Sequence, residues 1–383
     1  MAAKKKIVFL TGTRADFGKL KSLISKVENS PLFECHVFVT GMHMLQRYGY
    51  TYDEVRKHNY KNIYTLMNQT LQMPMDLILA NTISGFHNYV SEIKPDLVIV
   101  HGDRIEALAS AIVSACNNIL LAHIEGGEVS GTIDESIRHA ITKFTQLHFV
   151  ANDESRQRLL QMGEKASGIF IIGSPDIDIM KSDTLPSLDS VMKHYELPSR
   201  EYALFTYHPV TTELDALPQN IETVLSALEA SGLNYVGMYP NNDAGSDIII
   251  EALQPFLNRR TWRILPSFGF EAYLTLLRNC QFIIGNSSAG IREAEVYGKP
   301  SINIGARQKN RSRSTEILNV PEDKKAILQA IQQTLEKGSV PPKECFGNGD
   351  SAKMFLEILE QQDVFKTPVQ KEFQDNYRRI FEL

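Results

Sequence analysis

Three acidic residues stand where acid-base chemistry would want them. Asp103 lies in His101-Gly102-Asp103-Arg104, Glu125 in His123-Ile124-Glu125-Gly126-Gly127-Glu128, and Asp134 just ahead of Ser136-Ile137-Arg138-His139. Asp103 and Glu125 each follow a run of Ile, Val and Leu that reads as a buried strand, where a carboxylate has little structural purpose unless it caps a helix or serves a site. Carboxylates held close together raise one another's proton affinity, so one can be protonated while its neighbour is ionised. Acid and base roles can therefore share one pocket. A helix cap would account for Asp134 alone, and three oxygens could hold a metal. Arg104, beside Asp103, already supplies positive charge where a cation would sit, so no metal is expected.

A second group of residues suits an anion. Gly285-Asn286-Ser287-Ser288-Ala289-Gly290 lies between an apolar strand and a helix predicted to begin near Ala289. Small residues let backbone N–H groups close around a diphosphate, Ser287 and Ser288 add hydroxyl donors, and a helix dipole favours negative charge. Glu293 follows one turn later, where it could accept two ribose hydroxyls, and Arg307 follows the next strand. His208, in His208-Pro209-Val210-Thr211-Thr212, ends another strand and is a candidate general acid for a leaving phosphate or its hydrogen-bond donor. Asn241 ends a further one. The loop Thr11-Gly12-Thr13-Arg14-Ala15-Asp16-Phe17-Gly18-Lys19-Leu20 fits neither G-x-G-x-x-G nor the phosphate loop, which needs four residues between its glycines and Ser or Thr after Lys. What remains is a flexible turn entering a helix, with Arg14 placed to meet a phosphate.

The elements that must position these residues read as two β-α series. Ile7–Leu10, His36–Thr40, Leu97–Val100, Ile119–Ile124, His148–Ala151 and Ile169–Gly173 form the first set of strands. Near-continuous Ile, Val and Leu suits strands covered on both faces of a parallel sheet. The pattern breaks over Pro175–Pro198, read as a linker. Ala203–His208, Tyr235–Pro240, Trp262–Pro266, Phe282–Gly285 and Ser301–Gly305 form the second set. The expectation is an α/β protein of two Rossmann-like domains, 1–178 and 179–364, with a charged helical tail (about 365–383) returning to the first. Ligands of such sheets bind beyond the strands' carboxyl ends, so a cleft between the two domains is the expected site.

Composition sets outer bounds. The chain has 383 residues, 43% hydrophobic and 22% charged, with a formal charge of -5. That balance argues against general affinity for nucleic acid or anionic membrane, so phosphate binding must be local. No run approaches the ~18 apolar residues of a membrane span, and Ile7–Leu10 is too short for a signal-peptide core. Cys35, Cys116, Cys280 and Cys345 are scattered without metal spacing, which suggests small core residues in a cytosolic, reduced protein.

With these residues in view, the chain resembles the hydrolysing UDP-N-acetylglucosamine 2-epimerases of bacterial sialic acid biosynthesis over nearly its whole length. The resemblance is carried by TGTRADFGKL, VHGDR, HIEGGEVSGTIDESIRH, HPVTT, PNNDAGS and GNSSAGIRE, and by the run Gly305 to Gln308. Non-hydrolysing relatives typically have GTRPE, a threonine after the HGD aspartate and HVEAGLRT; Ala15-Asp16, Arg104 and HIEGGE favour the hydrolysing branch. The resemblance implies the GT-B fold, with Asp103, Glu125 and Asp134 as catalytic carboxylates and His208 acting at the diphosphate. It further implies UDP contacts from Arg14, Asn241, Ser287, Ser288, Glu293 and Arg307, with Arg104 near sugar and diphosphate. A serine stands at Gly18 in animal relatives, so its phosphate contact should be missing here or made by backbone. The implied reaction is anti elimination of UDP to 2-acetamidoglucal, then hydration to N-acetylmannosamine, with no metal or nicotinamide cofactor and at least a homodimer. Competing expectations are the same chemistry on a UDP-2,4-diacetamido-6-deoxy sugar, a GT-B glycosyltransferase, or a UDP-sugar sensor without catalysis.

Overall fold

The structure, a computed structural model, describes residues 4–130, 132–308, 314–361 and 363–375. Its contacts divide the chain into two units, the first comprising Met1–Glu128, Asp134–Ser182 and Phe346–Leu383, the second Val129–Ile133 and Asp183–Cys345.

Seven strands build the first unit: β1 (Lys5–Thr11), β2 (Phe33–Val39), β3 (Asn62–Thr65), β4 (Leu97–His101), β5 (Leu120–Ile124), β6 (Leu147–Val150) and β7 (Ile169–Ile171). They form one sheet in the order β3-β2-β1-β4-β5-β6-β7, with every pairing parallel. Side chains alternate across a strand, and both faces of this sheet are buried. Ile7 and Phe9 join one core while Val8 and Leu10 join the other; in β4, Leu97 and Ile99 divide from Val98 and Val100 in the same way. The first core is closed by the Arg14–Asn29 helix and by the Ser351–Glu360 helix, which contributes Phe355 and Leu359 and precedes the tail expected to be helical over about 365–383, of which 376–383 lie outside the described residues. Phe355 meets Phe149 edge-on at 4.8 Å between ring centroids. Burial of such a ring stabilises by roughly 2–3 kcal/mol, enough to fix this helix on the sheet.

The second unit repeats the design with β8 (Ala203–Thr206), β9 (Tyr235–Met238), β10 (Trp262–Leu265), β11 (Ile283–Gly285), β12 (Ser301–Ile304) and β13 (Ile317–Val320). Its order is β10-β9-β8-β11-β12-β13, again parallel throughout. In each sheet the strand order reverses at one place, between β1 and β4 and between β8 and β11, and ligands of such sheets gather outside the carboxyl ends there. Gly285, at φ +132°, closes β11 where a Cβ would stand 2.0 Å from the Thr206 carbonyl oxygen, so only glycine lets β8 and β11 end side by side.

Two strands escape sequence reading. β3 (Asn-Ile-Tyr-Thr) and β13 (Ile-Leu-Asn-Val) are edge strands, half exposed and without a continuous apolar run. The proposed linker over Pro175–Pro198 is corrected: it contains helices Pro175–Met180 and Leu188–Tyr195, each starting where a proline or a Ser187 cap permits. Two of the four cysteines also depart from expectation, since Cys116 and Cys345 are exposed while Cys35 and Cys280 are buried. Among the described residues no helix is long and apolar enough to cross a membrane.

Candidate active site

The turn after β1 is rigid rather than flexible. Asp16 accepts hydrogen bonds from the N–H of Gly12 (2.9 Å) and of Thr13 (3.0 Å) and from Thr11 Oγ1 (2.5 Å), while Thr13 caps the helix through the Asp16 N–H. This capping box consumes the amides that a phosphate would otherwise use. Arg14, the first helical residue and half-buried, is therefore what the turn has to offer an anion. Gly18 is the fifth residue of the helix, where the N–H already has an intrahelical acceptor. A backbone contact from Gly18 to phosphate is thus not available.

Asp103 and Glu125 leave adjacent strands. β4 and β5 pair through His101 and Ile124, and the Gly102 N–H donates to the Ile124 carbonyl. His123 Nε2 donates back to the Gly102 carbonyl at 2.7 Å; burial depresses this imidazole to about 3, so it is a neutral strand-end brace. Glu125 itself is 4% exposed and takes φ +63°, a left-handed conformation that costs a non-glycine residue about 1–2 kcal/mol. Strain of this kind persists where surroundings over-determine it. Here they do: Glu125 accepts from His101 Nε2 (3.0 Å), Lys19 Nζ (3.2 Å) and Ser174 Oγ. These contacts serve the ionised carboxylate.

Asp103 is held by a different cation, whose charge Asp134 also favours. Arg138, 1% exposed, donates from one terminal nitrogen to Asp103 Oδ2 and from the other to the Glu128 carbonyl at 3.1 Å. Burial opposes the guanidinium charge, but Asp103, Glu128 and Asp134 together hold its proton affinity above the ordinary value. Asp134 sits in the first turn of the Ile133–Phe144 helix, four residues before Arg138 and so on the same helix face. Arg104 follows Asp103 at the entrance to the next helix. It is the N-cap residue of the Ile105–Cys116 helix, and its Nε faces Glu106 at 3.8 Å.

In the second unit the site is built around Asn286. Its Oδ1 accepts from the His208 N–H (2.6 Å) and its Nδ2 donates to the His208 carbonyl (2.8 Å), tying the ends of β8 and β11. The Asn286 carbonyl accepts from Arg307 (3.2 Å) and Gln308 (2.9 Å), which brings the β12 loop to the same place. His208 Nδ1 accepts the Asn241 N–H at 3.1 Å, so the ring proton belongs on Nε2. That contact leaves Nε2–H as a hydrogen-bond donor, one of the two roles expected of His208. Ser287 Oγ accepts the Ala289 N–H at 3.3 Å, and Ser288 is half-buried. The helix predicted from Ala289 is instead a 3-10 turn, Ser288–Gly290, followed by a four-residue helix, Glu293–Val296, which carries little dipole. Glu293 (7% exposed) opens it. A cavity of about 480 Å³ flanks the Arg307 loop, lined by Asn303, Gln308, Asn319 and Glu322. Its described polar lining is amides and one carboxylate.

The family model for UDP-N-acetylglucosamine 2-epimerase matches residues 25–360. The chain belongs to the UDP-N-acetylglucosamine 2-epimerase family. It is 46% identical to a UDP-N-acetylglucosamine 2-epimerase of Neisseria meningitidis over 97% of this chain and 99% of that protein. It is 32% identical to a hydrolysing UDP-N,N'-diacetylbacillosamine 2-epimerase of Legionella pneumophila over 93% and 96%. Among solved structures, it superposes on UDP-GlcNAc 2-epimerase from Neisseria meningitidis bound to UDP-GlcNAc with a TM-score of 0.77, at 20% identity and covering 93% of this chain and 100% of that one. That likeness bears on the fold, two parallel-sheet α/β domains of the GT-B kind.

Within this 2-epimerase, sequence reading missed the residues that hold the named ones. Arg138, Lys19, His101 and Ser174 surround the carboxylates, and Asn286 carries His208 and Arg307. The signal available was position alone: His101 sits two residues from Asp103, Arg138 one helical turn past Asp134, and Asn286 ends a buried strand.

Proposed function

We propose that the protein is a hydrolysing UDP-N-acetylglucosamine 2-epimerase, releasing UDP and N-acetylmannosamine for sialic acid synthesis. The observation that carries this is the division of labour between the two units: three carboxylates at the carboxyl end of one parallel sheet, hydrogen-bond donors and Arg307 at that of the other. Loss of UDP builds positive charge at the sugar C1, which acidifies the C2 hydrogen, so a base is required at the sugar and donors at the diphosphate. Glu125, with three donors on its oxygens, fits the ionised base. Asp103 and Asp134, which both favour the Arg138 charge, are then available to guide water in the hydration step. His208 Nε2–H, Ser287, Ser288, Asn241, Arg14 and Arg307 are assigned to the diphosphate, Glu293 to the ribose, and Arg104 to the space near sugar and diphosphate.

The preference for N-acetylglucosamine over a diacetamido sugar rests on the higher identity to the Neisseria epimerase, 46% against 32% for the bacillosamine enzyme. Hydrolysis rather than simple epimerisation rests on Ala15-Asp16, Arg104 and the Glu125 segment, where the non-hydrolysing pattern is absent. Incubation with UDP-N-acetylglucosamine in heavy water, followed by NMR, tests both. The expected products are UDP and free N-acetylmannosamine deuterated at C2. UDP-N-acetylmannosamine would refute hydrolysis, and turnover confined to the UDP-2,4-diacetamido-6-deoxy sugar would refute the substrate. UDP binding without turnover of either sugar would make the protein a sensor.

A further inference from the structure

Lys19 stands between two buried carboxylates. Its Nζ lies 3.2 Å from Glu125 Oε2 and 3.3 Å from Asp176 Oδ2, and the Asp176 side chain is only 1% exposed. One ammonium thus answers two acids. Asp176 belongs to the Pro175–Met180 helix, immediately after the turn that aims Ser174 Oγ at Glu125.

We propose that Asp176 is a positioning residue for proton transfer at Glu125, holding Lys19 in place whenever Glu125 is protonated. The inference rests on the epimerase reading only in taking Glu125 to exchange a proton during turnover. In that step the C2 proton moves to a Glu125 oxygen, the C2–H electron pair becomes the C1=C2 bond, and the C1–O pair departs with UDP. Glu125 is then neutral. Lys19, partly buried at 12% exposure, would then lose one of the two negative charges it faces, which is unfavourable for an ammonium largely removed from water. Asp176, already 3.3 Å away, supplies the counter-charge without any rearrangement. By the same electrostatics its negative charge strengthens Glu125's hold on the proton.

Other charged and titratable groups face the pair. His101 reaches the same Glu125 oxygen from the end of β4, at 3.0 Å, and His123 stands behind it on β5. Asp178, on the helix of Asp176, is occupied by the N–H groups of Ser351 (2.9 Å) and Ala352 (2.8 Å). None of these bridges Glu125 and Asp176 as Lys19 does.

Carbon-13 NMR titration of the Glu125 and Asp176 carboxyls, with the pH dependence of kcat/KM, tests the assignment. In Asp176→Asn, Glu125 should titrate about one pH unit lower, because Lys19 then serves it alone. The matching limb of kcat/KM moves equally, and UDP affinity is unchanged. Lys19→Met should move Glu125 the opposite way. An unmoved or raised Glu125 titration in Asp176→Asn overturns the proposal. Should that variant not fold, the native protein still decides: the Asp176 resonance must step at the Glu125 midpoint, and its absence overturns the coupling. If the protein turns over no UDP-N-acetylglucosamine, the titrations still test the Asp176–Glu125 coupling while the functional reading falls separately.

Discussion

The two units place their working residues at equivalent points of equivalent sheets, yet hold them by different physics. At the ends of β4 and β5 carboxylates are matched by cations, Asp103 by the buried Arg138 and Glu125 by the partly buried Lys19. At the ends of β8 and β11 the scaffold is neutral: the Asn286 amide grips the His208 backbone, and the Asn286 carbonyl anchors Arg307. Charge matching fixes acids in a state ready to move protons, but removing one member strands the others. Amide hydrogen bonds fix geometry with little electrostatic commitment, as would suit the diphosphate pocket proposed for this unit.

The largest effect should follow from breaking the charged scaffold. Arg138→Met removes the buried guanidinium that donates to Asp103 and should cost about 3–5 kcal/mol of first-unit stability. The chain's one tryptophan makes the comparison measurable, because Trp262 lies in the core of the second unit. Denaturant unfolding followed by far-ultraviolet circular dichroism should show an early transition in Arg138→Met, with the Trp262 fluorescence transition unmoved. Coincident shifts of both signals would mean that the units do not unfold independently. Asn286→Ala is the counterpart in the neutral scaffold. It leaves the His208 N–H and C=O without partners, should cost about 1–3 kcal/mol, and should displace the Trp262 transition while weakening UDP binding by about tenfold in calorimetry.

Acid sharpens the same contrast. Burial alone would raise the Glu164 carboxyl, but hydrogen bonds from His148, Lys371 and Lys143 outweigh it and bring it from 4.5 down to about 2. Stability from this group is complete above its unfolded value and is lost as pH falls towards 2. Burial also lowers His43 to about 4 and His123 to about 3, from 6.5. These rings stay neutral when folded, so their contribution is complete above pH 6.5 and declines as pH falls, because the unfolded chain takes up protons first. All three groups lie in the first unit. Lowering the pH from 8 to 5 should therefore advance the dichroism transition and leave the Trp262 transition nearly in place; an equal advance of both would contradict the contrast.

Much of this was legible in the sequence because a parallel sheet advertises itself. Covered on both faces, its central strands are written as runs such as Leu97–Val100, and the residue after each run is automatically at the ligand edge. That rule found Asp103, Glu125, His208 and Asn241. It could not find β3 or β13, whose half-exposed edges carry no such run, nor the two helices after Pro175, short elements in a polar stretch. It also could not tell that Arg138 donates to Asp103, since that partner comes from a helix more than thirty residues on and not from a strand-end neighbour. Nor could it see that Asp16 already fills the amides of Gly12 and Thr13. Hydrogen-bond competition is settled by packing, not by residue type.

The smallest effect expected is at Ser287, and it probes the neutral site most cleanly. Ser287 accepts the Ala289 N–H over 3.3 Å, a long bond capping only a 3-10 turn, so Ser287→Ala should lower stability by no more than about 0.5 kcal/mol. Its hydroxyl hydrogen is nonetheless a donor at the ends of β8 and β11, where the diphosphate is assigned. Loss of one such bond to a charged oxygen should weaken UDP by about tenfold, near 1.5 kcal/mol. Calorimetry should thus show reduced affinity in a protein whose Trp262 transition has scarcely moved. Unchanged affinity would remove Ser287 from the diphosphate and leave His208, Ser288 and Arg307 to hold it. An equal fall in stability and affinity would instead show that Ser287 acts only through the turn it caps.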